Sequence, residues 1–304
     1  MTEAASPVLS PSKRPRAVWS TARAYVALTK PRIIELLLIT TVPTMILAAG
    51  GMPGIWPIVA TVIGGTLSAG GANTINCWYD RDIDKIMART RKRPLPMELV
   101  SPNGALTFGI VLEFVAYLWL QATVGWVPAV LAVCACLFYV FVYTMGLKRT
   151  SPQNIVIGGA AGAAPVLIGW AAVTGGLGLT PWLLFMVVFM WTPPHFWALA
   201  IKYREDYAAA GVPMLPVVRS LAETARQTLA YSLMMLAVTL VFGAVAQMQL
   251  VYFSAAILLG AVFVKLAVDL LRETTTQRAM RLFHFSITYL GLLFLAIAVD
   301  VLVR

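Results

Sequence analysis

The stretch Ile75-Asn76-Cys77-Trp78-Tyr79-Asp80-Arg81-Asp82-Ile83-Asp84-Lys85 decides how the rest of the chain is read. A long apolar run ends near Ile75, and charge begins at once. Asn76, Asp80 and Asp84 recur at i, i+4 and i+8. On a helix this spacing predicts one amide and two carboxylates along a single face, one turn apart. Oxygen ligands so arranged suit Mg²⁺, a hard cation that joins one or two carboxylates to substrate phosphates. Asp82 lies off that face and is a weaker candidate. Five residues on, Arg89-Thr90-Arg91-Lys92-Arg93-Pro94 supplies cations fit for phosphate oxygens. The bland alternative is a solvated helix end. Three acids clustered beside several cations, at the mouth of a membrane helix, argue against it.

The composition agrees with a membrane setting. Of 304 residues, 60% are hydrophobic and 12% charged. Nine apolar runs of about the length that spans a bilayer are predicted at 33–50, 56–75, 104–121, 126–146, 154–172, 181–200, 228–246, 251–271 and 283–302. The expected fold is therefore all-α: one polytopic membrane domain over 30–304, preceded by a disordered tail at 1–29 with Pro7, Pro11 and Pro15. No cleavable signal peptide is expected, because the head is polar and basic. Cys77, Cys134 and Cys136 form no ligand pattern and read as small buried hydrophobes. Gly64, Gly65, Gly70 and Gly71, and the Gly158/Gly162 pair, read as helix-packing residues.

The net charge is +10, which in a soluble protein would suggest nucleic acid. Here it follows membrane topology instead, and no nucleic-acid partner is expected. Lys and Arg fall ahead of the first span, up to Arg32, and in 81–93, 148–149, 202–226 and 272–281; of 23, only Lys265 and Arg304 lie elsewhere. The positive-inside rule predicts a multi-pass protein of the cell inner membrane, with the N-terminus cytoplasmic and the C-terminus on the opposite side.

A second polar stretch runs from Trp191 to Tyr207. Pro193 and Pro194 are expected to break or kink the span just before His195. An ionisable group at that depth is a functional candidate. His195 could ligate haem iron, act as a base, or cap a broken helix. Lys202, Arg204 and Asp206 are expected to face the first motif, and Asp206 could join a second metal. A third edge carries Lys148 and Arg149 after Tyr139 and Tyr143, which are either cation-stabilising rings or an interfacial belt. Among acids inside spans, Glu113 looks deepest and Asp269 has Lys265 one turn away; Glu35 is a third. His284 reads as an interfacial structural residue.

Taken together the motifs resemble the UbiA superfamily of intramembrane prenyltransferases, and most closely its haem O synthase branch. The resemblance rests on Asn76 to Lys85, on Met87-x-Arg89-Thr90-x-x-Arg93-Pro94-Leu95 and on Tyr143-Thr144-x-x-Leu147-Lys148-Arg149. It rests also on 154–163, on Pro194-His195-Phe196-Trp197 and on 206–216, and it runs from about Lys30 to the C-terminus. It implies nine helices around a central cavity capped by cytoplasmic loops. It implies transfer of farnesyl from farnesyl diphosphate to a vinyl group of haem B in the lipid bilayer, with haem A synthase or oxidase assembly proteins as partners. Carried over, Asn76, Asp80 and Asp84 hold Mg²⁺ and diphosphate, with Asp206 as a further metal residue. Arg89, Arg93, Lys148, Arg149 and Lys202 bind diphosphate. His195 serves haem, and Tyr143, Tyr139 or Trp197 faces the allylic cation. Many relatives carry two aspartates four apart in the second loop, whereas this chain has Lys202 and Tyr203 before Glu205-Asp206. Competing readings are a prenyltransferase with an aromatic or chlorin acceptor, a transporter of anionic lipids, and an assembly factor.

Overall fold

A computed structural model describes residues 18–304, with the backbone alone at 18–20 and 32–38. Thirteen helices follow one another, with no strand among the described residues: α1 (Val18–Leu28), α2 (Pro31–Ala49), α3 (Ile55–Tyr79), α4 (Ile83–Ile86), α5 (Pro102–Val124), α6 (Trp126–Leu137), α7 (Asn154–Thr174), α8 (Leu179–Lys202), α9 (Arg204–Ala209), α10 (Leu215–Val218), α11 (Leu221–Val245), α12 (Leu250–Arg272) and α13 (Thr276–Leu302). Beyond α6 the same rod continues as a wide π-helical segment, Phe138–Leu147.

Eight of these rods are long and apolar enough to cross a membrane, and α2 is the ninth by place. Each rod touches the next (α2, α3, α5, α6, α7, α8, α11, α12, α13), and α13 returns to α2. The chain therefore closes a ring, braced across by contacts of α2 with α7 and of α8 with α13. The sides of the ring differ. From α7 onward it is filled by one large apolar core, including Leu184, Val187, Phe242, Phe263, Tyr289 and Phe294. The α3–α5 side instead uses small residues. A Cβ on Gly71 would stand 2.8 Å from the Gly109 carbonyl oxygen, and one on Gly109 would stand 2.7 Å from Ile75, so the two backbones touch. A Cβ on Gly64 would likewise overlap Leu120 of α5, one on Gly70 would stand 3.2 Å from Thr29, and Gly65 and Gly162 face open space.

Several sequence expectations need correction. Residues 1–17 of the expected tail lie outside the described residues, but Val18–Leu28 is helical and Leu28 is fully buried. Helices α11 and α13 start seven residues earlier than their apolar runs at 228 and 283. Ser220 accepts from the Glu223 N–H at 3.1 Å, and Thr275 from Arg278 at 3.3 Å, so N-caps launch both helices in polar sequence. Pro193 and Pro194 do not break α8, which is helical through both. Cys134 is exposed, while Cys77 and Cys136 are buried. Asp300, unremarked in the sequence, is buried and accepts from the backbone N–H groups of Gln249 (2.7 Å) and Tyr252 (3.0 Å), capping α12 from α13. Lys265 and Asp269 do pair, at 2.8 Å.

Candidate active site

The motif that opens the sequence sits where α3 ends. Asp80 is the C-cap of α3, and Asp84 lies on the short α4, so the three residues do not share one unbroken helix. The register survives the break because the Asp80 N–H donates to the Asn76 carbonyl (2.9 Å) and the Asp84 N–H to the Asp80 carbonyl (2.8 Å). All three side chains are buried, Asp80 completely.

Buried carboxylates must be compensated, and here four cations arrive from three places. Lys30, at the start of α2, donates to Asn76 Oδ1 at 2.7 Å. Lys148, at the end of the π segment, pairs with Asp80 Oδ2. Arg93 donates one nitrogen to both oxygens of Asp84, at 3.0 and 2.8 Å. Arg149 lies 3.6 Å from Asp80 Oδ1 but spends its fork on Asp82, with two bonds of 2.7 Å. That fork holds the Asp82 carboxyl down to about 2. Asn76 also donates to Asp80 Oδ2 (2.8 Å) and Thr144 Oγ1 (3.2 Å), so both amide hydrogens are used and Oδ1 is turned to the Lys30 cation. Asp80 Oδ1 is buried and accepts no hydrogen bond. One directed amide oxygen and one open carboxylate oxygen are the donor set that a hard divalent cation takes, so these residues fit Mg²⁺.

Thr144 and Lys148, four residues apart, both reach this motif from the π segment. Its i→i−5 bond from the Lys148 N–H to the Tyr143 carbonyl, 2.8 Å, widens the turn. Tyr139 and Tyr143 stack on each other at 5.4 Å. The Tyr143 ring rests on Gly158, where a Cβ would overlap it. The Gly158/Gly162 motif thus seats a tyrosine rather than a second glycine.

The other sequence candidates divide. Arg89 and Arg93 are not one helical turn apart, because 87–93 is a chain of tight turns. Arg93 turns inward to Asp84, and Arg89 turns outward over the Tyr203 ring at 5.7 Å. Lys202 lies over the same ring at 5.4 Å, so the two connections do meet. Ile83 and Met87 of the first pack with Tyr207, Val212 and Met214 of the second and with Ile155, covering this end of the ring. Asp206 is half-buried and forms no cluster of three potential metal ligands with Asp80 and Asp84 among the described residues. Trp197 is fully buried, edge-on to Tyr231 of α11. Glu113 accepts from Ser68 Oγ at 3.1 Å, on the α3–α5 side.

His195 sits within α8, seven residues before its end at Lys202. Its ring lies between Trp191 (4.3 Å, 20°) and Phe283 (4.7 Å, 28°). Its Nδ1 meets Ser286 Oγ of α13 at 2.6 Å. Sequence reasoning named His195 but missed Lys30, Thr144 and Ser286.

Residues 37–296 match the profile described as the UbiA prenyltransferase family. The protoheme IX farnesyltransferase of Parafrankia sp. strain EAN1pec is 57% identical over 295 residues, covering 96% of this chain and 94% of that protein. A solved digeranylgeranylglyceryl phosphate synthase superposes with a TM-score of 0.77 at 16% identity, covering 93% of this chain and 99% of its own. A UbiA homolog from Archaeoglobus fulgidus, solved with GPP and Mg²⁺, superposes with a TM-score of 0.59 at 14% identity, covering 90% and 99%. These structural likenesses establish a shared fold.

Proposed function

We propose that this chain, which belongs to the UbiA prenyltransferase family, transfers the farnesyl group of farnesyl diphosphate to a vinyl group of protoheme IX and releases diphosphate. The protoheme IX farnesyltransferase that shares 57% of its residues across nearly its whole length supports the acceptor. The observation that carries the chemistry is the buried Asn76–Asp80–Asp84 set, compensated by Lys30, Arg93 and Lys148.

Asn76, Asp80 and Asp84 would hold Mg²⁺, which when bound offsets the charge of the diphosphate. The chain's own cations do the rest of that work. As the C1–O bond of farnesyl diphosphate breaks, negative charge builds on the leaving diphosphate. Lys148 and Arg93, already turned into the motif, are placed to take it, with Arg149 beside them. Arg89 and Lys202, both on the Tyr203 ring, form the outer edge of the same cationic site. The allylic cation left behind needs an electron-rich, water-poor surface. Tyr139 and Tyr143, stacked on each other with Tyr143 seated on Gly158, supply aromatic surface next to Thr144, which bonds Asn76. The terminal vinyl carbon then bonds to C1, and positive charge moves to the carbon next to the porphyrin. Water adds there and loses a proton, leaving a hydroxyethylfarnesyl group. His195 is the residue proposed to engage the haem.

The alternation of basic connections supports an inner-membrane location with the motif end in the cytoplasm and the C-terminus opposite. A product so apolar stays in the bilayer, which is the reason to expect haem A synthase or an oxidase assembly protein beside it.

The test is a product assay in lipid with haem B, farnesyl diphosphate and Mg²⁺, and EDTA as control. The expected product is a later-eluting haem carrying the added mass of farnesyl and hydroxyl, absent with EDTA. Prenylation of an aromatic acid instead of haem would overturn the acceptor and keep the reaction class.

A further inference from the structure

We propose that Ser286 is a positioning residue that fixes His195 in its Nδ1–H tautomer and so keeps the lone pair on Nε2 for the acceptor substrate. The proposal deepens the reading of His195 as the residue that engages haem.

The argument is a proton count. Ser286 Oγ has a single hydrogen and two close neighbours, the Phe283 carbonyl oxygen at 2.6 Å and His195 Nδ1 at 2.6 Å. The carbonyl can only accept, so the serine hydrogen belongs to it. Both contacts are then hydrogen bonds only if His195 Nδ1 carries the proton and Ser286 Oγ accepts it. A neutral imidazole has one N–H, so Nε2 is left with its lone pair, the form that ligates iron or takes up a proton. Nε2 has no hydrogen-bond partner in the protein among the described residues.

The same serine holds the ring's surroundings. Its backbone carbonyl accepts from Trp191 Nε1 at 2.8 Å, and Trp191 covers one face of the imidazole. Phe283, whose carbonyl takes the serine hydrogen, covers the other. One residue of α13 therefore sets the edge, the proton and, through Trp191, one covering plate of a histidine on α8. This clasp stands where α8 is weakest. Pro193 and Pro194 have no N–H, so the carbonyls of Phe189 and Met190 lose their helical donors, and bonds to a neighbouring helix hold the segment.

The chain has two histidines, which makes the tautomer measurable. His284 is exposed, and a His284→Gln background leaves His195 alone. The full chain, labelled with ¹⁵N-histidine and placed in lipid discs without haem, is read by ¹⁵N NMR. A protonated Nδ1 and an unprotonated Nε2 are expected. Ser286→Ala is expected to move the proton to Nε2, and Ser286→Thr, which keeps the hydroxyl, to restore Nδ1–H. A protonated Nε2 in the Ser286 protein, or Nδ1–H retained in Ser286→Ala, overturns the proposal.

Haem B is then titrated into each protein and the visible spectrum recorded. Ser286→Ala is expected to weaken the imidazole-ligated signature and raise the KM for haem about tenfold, as second-sphere changes at metal-ligating histidines do, with the KM for farnesyl diphosphate unchanged. If His195→Ala gives the same haem spectrum as the Ser286 protein, the haem reading of His195 fails while the tautomer assignment stands on the NMR result.

Discussion

The two connections at the motif end, 80–101 after α3 and 203–220 after α8, follow equivalent long rods yet are built differently. The first buries its acids. Asp80 and Asp84 are 0% and 1% exposed and are held by Lys148 from the end of the π segment and by Arg93 of the same connection. The second leaves Lys202, Arg204 and Glu205 exposed and Asp206 half-buried. Its specialised polar group lies further back, inside α8, as the stacked and hydrogen-bonded His195. A buried carboxylate that keeps several cations close is poised for a charged ligand, because desolvation makes each lost partner expensive. Exposed charges are screened and exchange partners at little cost. Under the proposed function the difference becomes a division of labour: charge would be handled at the end of α3, and the flat aromatic acceptor by α8 with α13.

The sharpest way to break this contrast is Asp80→Asn. The substitution keeps shape but strands Lys148 and removes the open carboxylate oxygen. Turnover is expected to fall about a hundredfold or more, the scale for losing one charge stabiliser in a buried site. The haem titration should be unchanged. The check is product formation per milligram of protein that elutes as a folded monodisperse species. Near-normal turnover would remove Asp80 from the reaction.

A smaller effect distinguishes seating from packing in the first region. Gly158→Ala places a methyl group into the Tyr143 ring, whose Cγ and Cε2 stand 3.0 Å from that point, whereas Gly162→Ala meets nothing within 4 Å. Turnover is expected to drop about tenfold in Gly158→Ala, as a displaced group beside reacting atoms does, and to stay within twofold, or about 0.5 kcal/mol, in Gly162→Ala. Equal losses in both would mean that the pair acts as helix packing after all. Parallel assays with thermal unfolding in detergent separate activity from stability.

These outcomes bear on what the sequence could tell. Eight spans, with α2 as a ninth rod by place, were legible because apolar runs of bilayer length alternate with basic and uncharged turns. Helix starts at Leu221 and Thr276 were not, because hydropathy registers the bilayer and not the helix; the Ser220-x-x-Glu223 capping box was the overlooked signal. The acids of the site were legible from their i, i+4, i+8 spacing. Their partners were not, since Lys30 meets Asn76 across 46 residues and Asn76 meets Thr144 across 68. The same holds for Ser286 with His195 across 91 residues, and for Asp300 with Gln249 across 51. Spacing reports neighbours on one helix. Which helices face each other depends on ring closure, and no local pattern encodes that. Arg89 and Arg93 show the same limit: they lie four residues apart, but turns send the two guanidinium groups opposite ways.

The smallest predicted effect is the most informative about asymmetry. If both connections supplied metal ligands, Asp206→Asn would be as damaging as Asp80→Asn. Asp206 lies outside any cluster of three potential ligands among the described residues, and its half-buried side chain pays little to lose its charge. Its substitution is therefore expected to change turnover by no more than about twofold, a surface-scale effect near 0.5 kcal/mol. Lys202→Ala should fall between the extremes, raising the KM for farnesyl diphosphate while leaving turnover at saturation unchanged, because its ammonium group sits on the outer edge over Tyr203. Measuring both variants across a Mg²⁺ titration tests the point directly. A loss in Asp206→Asn that excess Mg²⁺ restores would place a second metal at the second connection and make the two sides partners in one charge-handling site.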